Sequence, residues 1–264
     1  MRNKAWEKDV NAMGRAYTVF AEVYDSFMNN IPYVGWTKKI SSYLNAAGVK
    51  KNTEILELGC GTGAMTIRLQ KAGYAMTGTD LSGEMLNVAT RRTRRAGLKI
   101  PYELQDMRTL DMQGRQYPVI LSLCDCVNYL TDTEELEATL TRVRETLVPG
   151  GLFVFDLKTE WFYREELGNT TFTDTCLAGT YIWENEYDPE KRDNHYELTF
   201  FIRNRSGLYR KQEETHTQHA FREEEIRETA EKAGLKVRGL YGVDLKSVPD
   251  WKGERIYVVL EKEK

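Results

Sequence analysis

Cysteine is sparse in this chain, and the four present, at 60, 124, 126 and 176, form no Cys-x-x-Cys pair. With no histidine-rich neighbour either, that spacing excludes a disulfide frame and a zinc site and leaves reduced thiols; no metal is expected. Cys60 and Cys124 read as small buried filler more than as reactive thiols. Histidine is scarcer still, with only His195, His216 and His219. No apolar run approaches the ~20 residues of a membrane span. The N-terminus, Met1-Arg2-Asn3-Lys4-Ala5-Trp6-Glu7-Lys8-Asp9, is charged and has no signal core, so the expectation is a cytoplasmic protein with no membrane partner. Excess charge of one sign is missing too. Lysine and arginine number 37 against 40 acidic residues, for a net charge of −3, which argues against nucleic acid as a partner. The densest basic run, Arg91-Arg92-Thr93-Arg94-Arg95, falls on a predicted helix and reads as a solvated face. Repeats, low-complexity tracts and long linkers are absent.

What is present suits one large domain with an elaboration: 264 residues, 41% of them hydrophobic and 29% charged. Residues 1–50 read as an N-terminal helical cap, with Ala16, Tyr17, Phe20, Val23, Tyr24 and Phe27 at helical spacing and a second helix over 35–47 that stops near Gly48. Residues 51–158 alternate strand and helix. Strands are predicted at 54–58, 75–80, 100–104, 119–123 and 152–156, and helices at 63–73, 83–96 and 133–146, with Ser82 as a cap and Gly97 as a stop. The unbroken apolarity of Val119-Ile120-Leu121-Ser122-Leu123 fits a parallel strand buried on both faces. From 159 to 219 the pattern becomes antiparallel, as in Tyr196-Glu197-Leu198-Thr199-Phe200-Phe201-Ile202, with turns at Asp188-Pro189 and Ser206-Gly207. Residues 220–264 return a helix, 222–233, and two strands that complete the main sheet. The fold class is therefore α/β: a Rossmann-like, seven-stranded, mostly parallel sheet with helices on both faces, a helical cap and an antiparallel β-insertion after strand 5. An exposed edge of that insertion offers a route to a homodimer.

Three features carry chemistry at successive strand ends. Glu57-x-Gly59-x-Gly61-x-Gly63 occupies the first strand-to-helix turn, where glycine lets the backbone turn sharply and approach a ligand. Its spacing departs from the GxGxxG of dinucleotide sites, because Gly63 follows Gly61 by only two positions. Asp80 ends the second strand, where a carboxylate can accept from ribose hydroxyls. Asp106, with Met107 as an apolar neighbour, follows the third and can accept from an adenine amino group.

These residues, in Ile55-Leu56-Glu57-Leu58-Gly59-Cys60-Gly61-Thr62-Gly63, Thr79-Asp80-Leu81-Ser82-x-x-Met85-Leu86, Gln105-Asp106-Met107 and Leu147-x-Pro149-Gly150-Gly151-x-Phe153-x-Phe155-Asp156, resemble the class I S-adenosylmethionine (SAM)-dependent methyltransferases. Tyr17-x-x-Phe20-Ala21-x-x-Tyr24-Asp25-x-x-Met28, Tyr33-x-x-Trp36, Cys124-Asp125-x-x-Asn128-Tyr129-Leu130, Trp183-Glu184-Asn185 and Glu214-x-His216 resemble a bacterial small-molecule subgroup that includes amino-sugar N-methyltransferase-like proteins. The resemblance spans nearly the whole chain. It implies SAM as cofactor and S-adenosylhomocysteine as product. Glu57, Gly59, Cys60, Gly61 and Gly63 would line the methionine and ribose portion. Asp80 would bind the ribose, Met85 or Leu81 would flank the adenine, and Asp106 with Met107 would recognise its edge. Leu123 and Asn128 would lie near the sulfonium, and Tyr17 and Trp36 would close over the methionyl end.

Methyl transfer from SAM needs alignment more than a covalent nucleophile, so a base is the group to seek. His216 with Glu214, which share one face of a strand, is the candidate pair, with a structural histidine–carboxylate contact as the alternative. Asp125, Tyr129 and Glu184 are weaker candidates for acceptor contact. The expected partner is a small-molecule acceptor, with an amine ahead of oxygen or carbon. Two other classes stay open: a SAM-binding sensor without catalysis, and a nicotinamide-dependent oxidoreductase. For the latter, the only Tyr-x-x-x-Lys, Tyr187 to Lys191, is broken by Pro189. The Asn/Asp-Pro-Pro-Tyr/Phe loop of DNA amino-methyltransferases is replaced by Cys124-Asp125-Cys126-Val127-Asn128-Tyr129.

Overall fold

The structure, a computed structural model, describes residues 21, 24–27, 31–204 and 206–264. Eleven strands form two sheets among these residues. The larger comprises β1 (Glu54–Leu58), β2 (Ala75–Asp80), β3 (Tyr102–Leu104), β4 (Tyr117–Ser122), β5 (Leu147–Lys158), β10 (Leu235–Tyr241) and β11 (Arg255–Lys262), in the order β10-β11-β5-β4-β1-β2-β3. β1 to β5 pair in parallel, and β11 enters antiparallel between β5 and β10. This is the Rossmann-like arrangement expected from the alternating pattern.

Period-two side chains sort the sheet's two faces. Leu56, Leu58, Ile120, Phe153, Phe155, Val258 and Leu260 pack with Leu140 and Val143 of α5 (Thr133–Thr146) and Ile226 and Ala230 of α6 (Glu223–Lys232). Ile55, Val119, Leu121, Val154 and Val259 face the other way, onto Ile40 and Leu44 of α2 (Tyr33–Ala46) and Met65 and Leu69 of α3 (Ala64–Lys71). Burial on both faces is why these strands read as continuous apolar runs. α4 (Gly83–Arg95) starts at Ser82, whose hydroxyl accepts from the Met85 N–H at 3.2 Å.

β5 is longer than its apolar stretch predicts. It begins at Leu147, and the register against β4 jumps from Tyr117↔Leu147 to Val119↔Leu152. Pro149-Gly150-Gly151 is thus a bulge inside the strand. Gly151 is required there, since a Cβ would stand 2.8 Å from the Val148 carbonyl oxygen and 3.2 Å from that of Pro118.

The second sheet holds β6 (Thr171–Cys176), β7 (Gly179–Asp188), β8 (Asp193–Arg203) and β9 (Tyr209–His219), all antiparallel and in sequence order. The pairs Asn185↔Tyr196↔His216 and Trp183↔Leu198↔Glu214 set aromatic and polar residues on one face. α1 (Tyr24–Phe27) packs on that face, with the Phe27 ring 5.4 Å from Tyr181 and 5.7 Å from Phe200. Within the expected cap, residues 1–20, 22–23 and 28–30 lie outside the described residues. No helix among the described residues is long and apolar enough to cross a membrane.

Candidate active site

The turn after β1 is held open by backbone conformation. Gly59, Gly61 and Gly63 take φ of 65°, 53° and 73°, a region costly for residues with a Cβ. Their surroundings differ. A Cβ on Gly59 would meet the Cys126 sulfur at 2.7 Å, and one on Gly63 the Tyr102 hydroxyl at 2.7 Å and the Ala89 Cβ at 3.1 Å. At Gly61 nothing lies within 4 Å. The outer glycines are packed, whereas the middle one borders open space.

Carboxyl groups flank this turn. Asp80 Oδ2 accepts from the Gly61 N–H at 2.8 Å and Oδ1 from the Ser82 N–H at 2.9 Å. Burial raises its pKa, opposed by those two N–H groups. Each oxygen keeps a second lone-pair direction for another donor. Glu57 is buried beneath the turn and accepts from the Thr66 hydroxyl at 2.6 Å. Burial pushes its carboxyl up to about 8, against the lowering effect of Thr66 and with a further rise from Asp80.

A second, sharper turn follows β4. Cys124 and Asp125 are consecutive non-glycine residues in the left-handed region, at φ 67° and 54°. Their two N–H groups point at one carboxylate, Asp156 at the end of β5, with bonds of 2.8 and 3.1 Å. Paired amides of this kind make an anion nest, and Asp156 fills it from within the protein. Arg255 of β11 bridges Asp156 and Asp125, the latter at 3.1 Å, while its guanidinium lies 4.7 Å from the centre of the Trp36 ring. Burial alone would raise Asp125, but Lys158 and Arg255 outweigh it and hold the carboxylate at about 2. Gln218 donates to Asp125 at 3.1 Å and accepts from the hydroxyls of Tyr163 and Tyr196 at 3.0 and 2.7 Å. Cys126 closes the arrangement with its thiol on the Gly59 carbonyl at 3.2 Å. Burial raises the thiol pKa of Cys60, Cys124 and Cys126 well above the ordinary value, so none is a reactive thiolate.

Beside this corner, Tyr129 and His216 bring the two halves together. The Tyr129 hydroxyl lies 3.3 Å from His216 Nδ1, and His216 Nε2 lies 3.5 Å from Glu214. His216 and Glu214 are buried; Tyr129 is half-buried.

A methyltransferase domain family matches residues 55–151, the segment from β1 into β5. Over 248 residues the chain is 32% identical to the methyltransferase-family protein YqeM of Bacillus subtilis (strain 168), covering 94% of this chain and 98% of that one. The chain belongs to the SAM-dependent methyltransferases. A crystal structure of an S-adenosylmethionine-dependent methyltransferase from Clostridium acetobutylicum ATCC 824 superposes with a TM-score of 0.83 at 26% identity, covering 94% and 99% of the two chains. The dTDP-3-amino-3,4,6-trideoxy-alpha-D-glucopyranose N,N-dimethyltransferase of Streptomyces venezuelae is 30% identical over 168 residues, or 61% of this chain and 63% of that protein. Membership removes the oxidoreductase alternative, and Pro189 does lie in the turn between β7 and β8.

The methyltransferase fits its cofactor by an observation of its own. The middle of the glycine turn is bare of neighbouring atoms where a Cβ would stand, and the half-buried Asp80 carboxylate sits beside it. Gly59, Gly61, Gly63 and Asp80 converge there with Glu57 and Cys60 beneath, and the Met107 side chain comes within 3.8 Å of the Cβ position at Gly59. Leu123 is buried at the start of the corner.

The structure also places the other expected cofactor residues. The Asn128 amide bonds within the protein. Fully buried, it accepts from the Lys158 N–H and donates to the carbonyls of Lys158 and His219, pinning β5 and β9 together. The Asp106 carboxylate is already engaged by Arg108, at 2.6 Å to Nη2, and Arg108 in turn by Glu135. Met85 is buried against Ala21 and Val88, while Leu81 is exposed. Trp36 lies over the Arg255 guanidinium, at the corner after β4. Tyr17 lies outside the described residues. Sequence reasoning did not single out Asp156 for the corner, nor Arg255, Lys158 and Gln218. Asp156 had a usable signal as an acidic residue ending a strand.

Proposed function

We propose that the methyltransferase N-methylates a small-molecule amine, with Tyr129, His216 and Glu214 conducting the proton the amine must lose. The Tyr129–His216–Glu214 chain, set beside the corner after β4, carries this reading. SAM, when bound, supplies an activated methyl group on a positively charged sulfur. Gly59, Gly61 and Gly63 would hold its methionyl and ribose portion, and Asp80 its ribose hydroxyls.

The chain's own residues then have to hold the acceptor in line and take up a proton. His216 is buried, so the half-buried Tyr129 is the group that can meet the acceptor. Its hydroxyl can accept the amine proton while passing its own to His216 Nδ1. Glu214 beside Nε2 favours the tautomer with hydrogen on Nε2, leaving Nδ1 as the acceptor, and stabilises the imidazolium that forms. An imidazole suits deprotonation of an ammonium, whose acidity lies much nearer its own than a hydroxyl's does, better than that of a sugar hydroxyl. The likeness to an amino-sugar N,N-dimethyltransferase supports the same choice.

Release of S-adenosylhomocysteine with a panel of amino sugars and matched hydroxyl sugars tests the acceptor. Tyr129→Phe and His216→Gln should each lower kcat by about 10²-fold with SAM affinity unchanged, and the acid limb of the pH–rate profile should disappear. Normal turnover in both variants would overturn the proton route. Turnover of hydroxyl sugars alone would overturn the amine.

A further inference from the structure

Lys158, the last residue of β5, carries a cation with too few partners. Its side chain is only 12% exposed, so water supplies little of what an ammonium needs. An ammonium has three N–H donors, yet among the described residues Lys158 Nζ makes no hydrogen bond. Its carboxylate partner there is Asp125 at 3.5 Å, well beyond the roughly 2.7–2.9 Å of a charge-assisted bond. The centre of the Phe162 ring lies 5.6 Å away, near the outer limit of a cation–π contact. The neighbours are better supplied. Arg255, directly opposite Lys158 in the register of β5 and β11, pairs with Asp156, Asp125 and Glu254. Asp125 also accepts from Gln218, and Asp156 from two backbone amides. Like charges facing each other across a strand pair are unfavourable, and Asp125 answers Arg255 at 3.1 Å, closer than it answers Lys158.

The ammonium stands where a ligand is expected. Lys158 ends a parallel strand at its carboxyl end, the side on which open α/β sheets bind ligands. Its backbone N–H and carbonyl are both bonded by Asn128, the residue before Tyr129. Asp125 is bonded by Gln218, two positions beyond His216 on β9. Lys158 therefore belongs to the same corner as the Tyr129–His216–Glu214 chain.

We infer that Lys158 binds an oxyanion on the methyl acceptor, so that the acceptor is an amine that also bears a carboxylate or phosphate group. The inference rests on the N-methylation reading for the atom methylated, and on Lys158 alone for the anion. An oxyanion supplies the oxygens that Lys158 lacks, in charge-assisted bonds roughly twice as strong as neutral ones, and an ammonium takes them from either group as a point charge. The Arg255 guanidinium across the strand pair adds to the attraction and repels an acceptor that offers only positive charge. Anchoring the anion at Lys158 while the amine meets Tyr129 holds the acceptor at two points, which is the alignment that methyl transfer needs.

Calorimetric titration of the full chain, saturated with S-adenosylhomocysteine, tests the assignment with matched probes: glucosamine against muramic acid for a carboxylate, and ethanolamine against phosphoethanolamine for a phosphate. In at least one pair the anionic member should bind about tenfold or more tightly than its partner, as one charge-assisted contact allows, and that pair names the oxyanion. Lys158→Gln should remove most of the preference and Lys158→Arg should keep it, with the folded state checked by circular dichroism. Equal binding within both pairs, or a preference that survives in Lys158→Gln, overturns the site. Magnetic resonance of the wild type with isotope-labelled lysine reads the contact without a substitution. The Nζ signal assigned by its loss in Lys158→Arg should shift on adding the preferred probe, and an unmoved signal overturns the contact. Glucuronic acid separates this inference from the amine reading. Binding of that amine-free anion through Lys158 supports the subsite, whereas its methylation in place of the amino probes would overturn the amine alone.

Discussion

The two turns that meet at this site are built on opposite principles. The turn after β1 obtains its shape by leaving side chains out, with three glycines at positive φ. The corner after β4 adopts the same left-handed region with ordinary residues, Cys124 and Asp125, and holds it by bringing side chains in: Asp156 on the amides, Arg255 on both carboxylates, Lys158 and Gln218 on Asp125. Left-handed backbone at non-glycine residues costs on the order of 1–2 kcal/mol each, and the ionic clamp offsets it. The first design leaves room for a ligand. The second fixes a surface against which a ligand can be aligned.

The contrast breaks most readily at Arg255. Arg255→Met leaves Asp125 and Asp156 without their shared cation, and loss of one partner from a buried ionic group costs about 3–5 kcal/mol. Urea unfolding should show a loss of that order, and a loss below about 1 kcal/mol would reduce the clamp to a bystander. Glu57 tests the glycine side. Its folded carboxyl titrates at about 8 instead of 4.5, so the fold binds this proton more tightly than the unfolded chain does. The associated stability is complete below about pH 4.5 and is lost as pH rises towards 8. Glu57→Gln should therefore match the wild type below about pH 4.5 and exceed it by about 4–5 kcal/mol above pH 8 in the absence of SAM. Melting curves at pH 5.5 and 8.5 that move in parallel would contradict this.

Gly59→Ala probes the contact between the two turns. The new methyl group would stand 2.7 Å from the Cys126 sulfur at a φ of 65°, a loss of about 1–3 kcal/mol. Cys126→Ala in the same chain should restore part of it, and strict additivity of the two changes would show that the turns are not in contact. The smallest effect belongs to Asp80→Ala, with at least a tenfold loss of SAM affinity, about 1.4 kcal/mol, at nearly unchanged stability. A calorimetric titration returning wild-type affinity would take Asp80 out of the site.

The same contrast explains what the sequence made legible. A turn made by omission leaves its mark in consecutive positions, so Gly59, Gly61, Gly63 and Asp80 could be read from spacing, as could the helices and strands whose apolar residues keep a single period. The corner is assembled from residues 125, 156, 158, 218 and 255, which only the folded sheets bring together, and no local pattern announces that. Asn128 shows what spacing leaves out: buried backbone at the ends of β5 and β9 takes up its amide. At Asp106, Arg108 two residues away engages the carboxylate, a contact the motif did not announce. The bulge at Pro149-Gly150-Gly151 was hidden because its glycines resemble a strand's end.

Arg255 sits on a strand far downstream of its partners, 130 positions after Asp125 and 99 after Asp156. A nascent chain can already shape its glycine turn once β1, α3 and β2 have emerged, since those contacts are local. Its corner stays unclamped until β11 threads between β5 and β10, a pairing of long sequence separation that forms slowly. The corner is thus completed only once β11 has emerged, and a product terminated before residue 255 would lack its clamp even with the glycine turn in place.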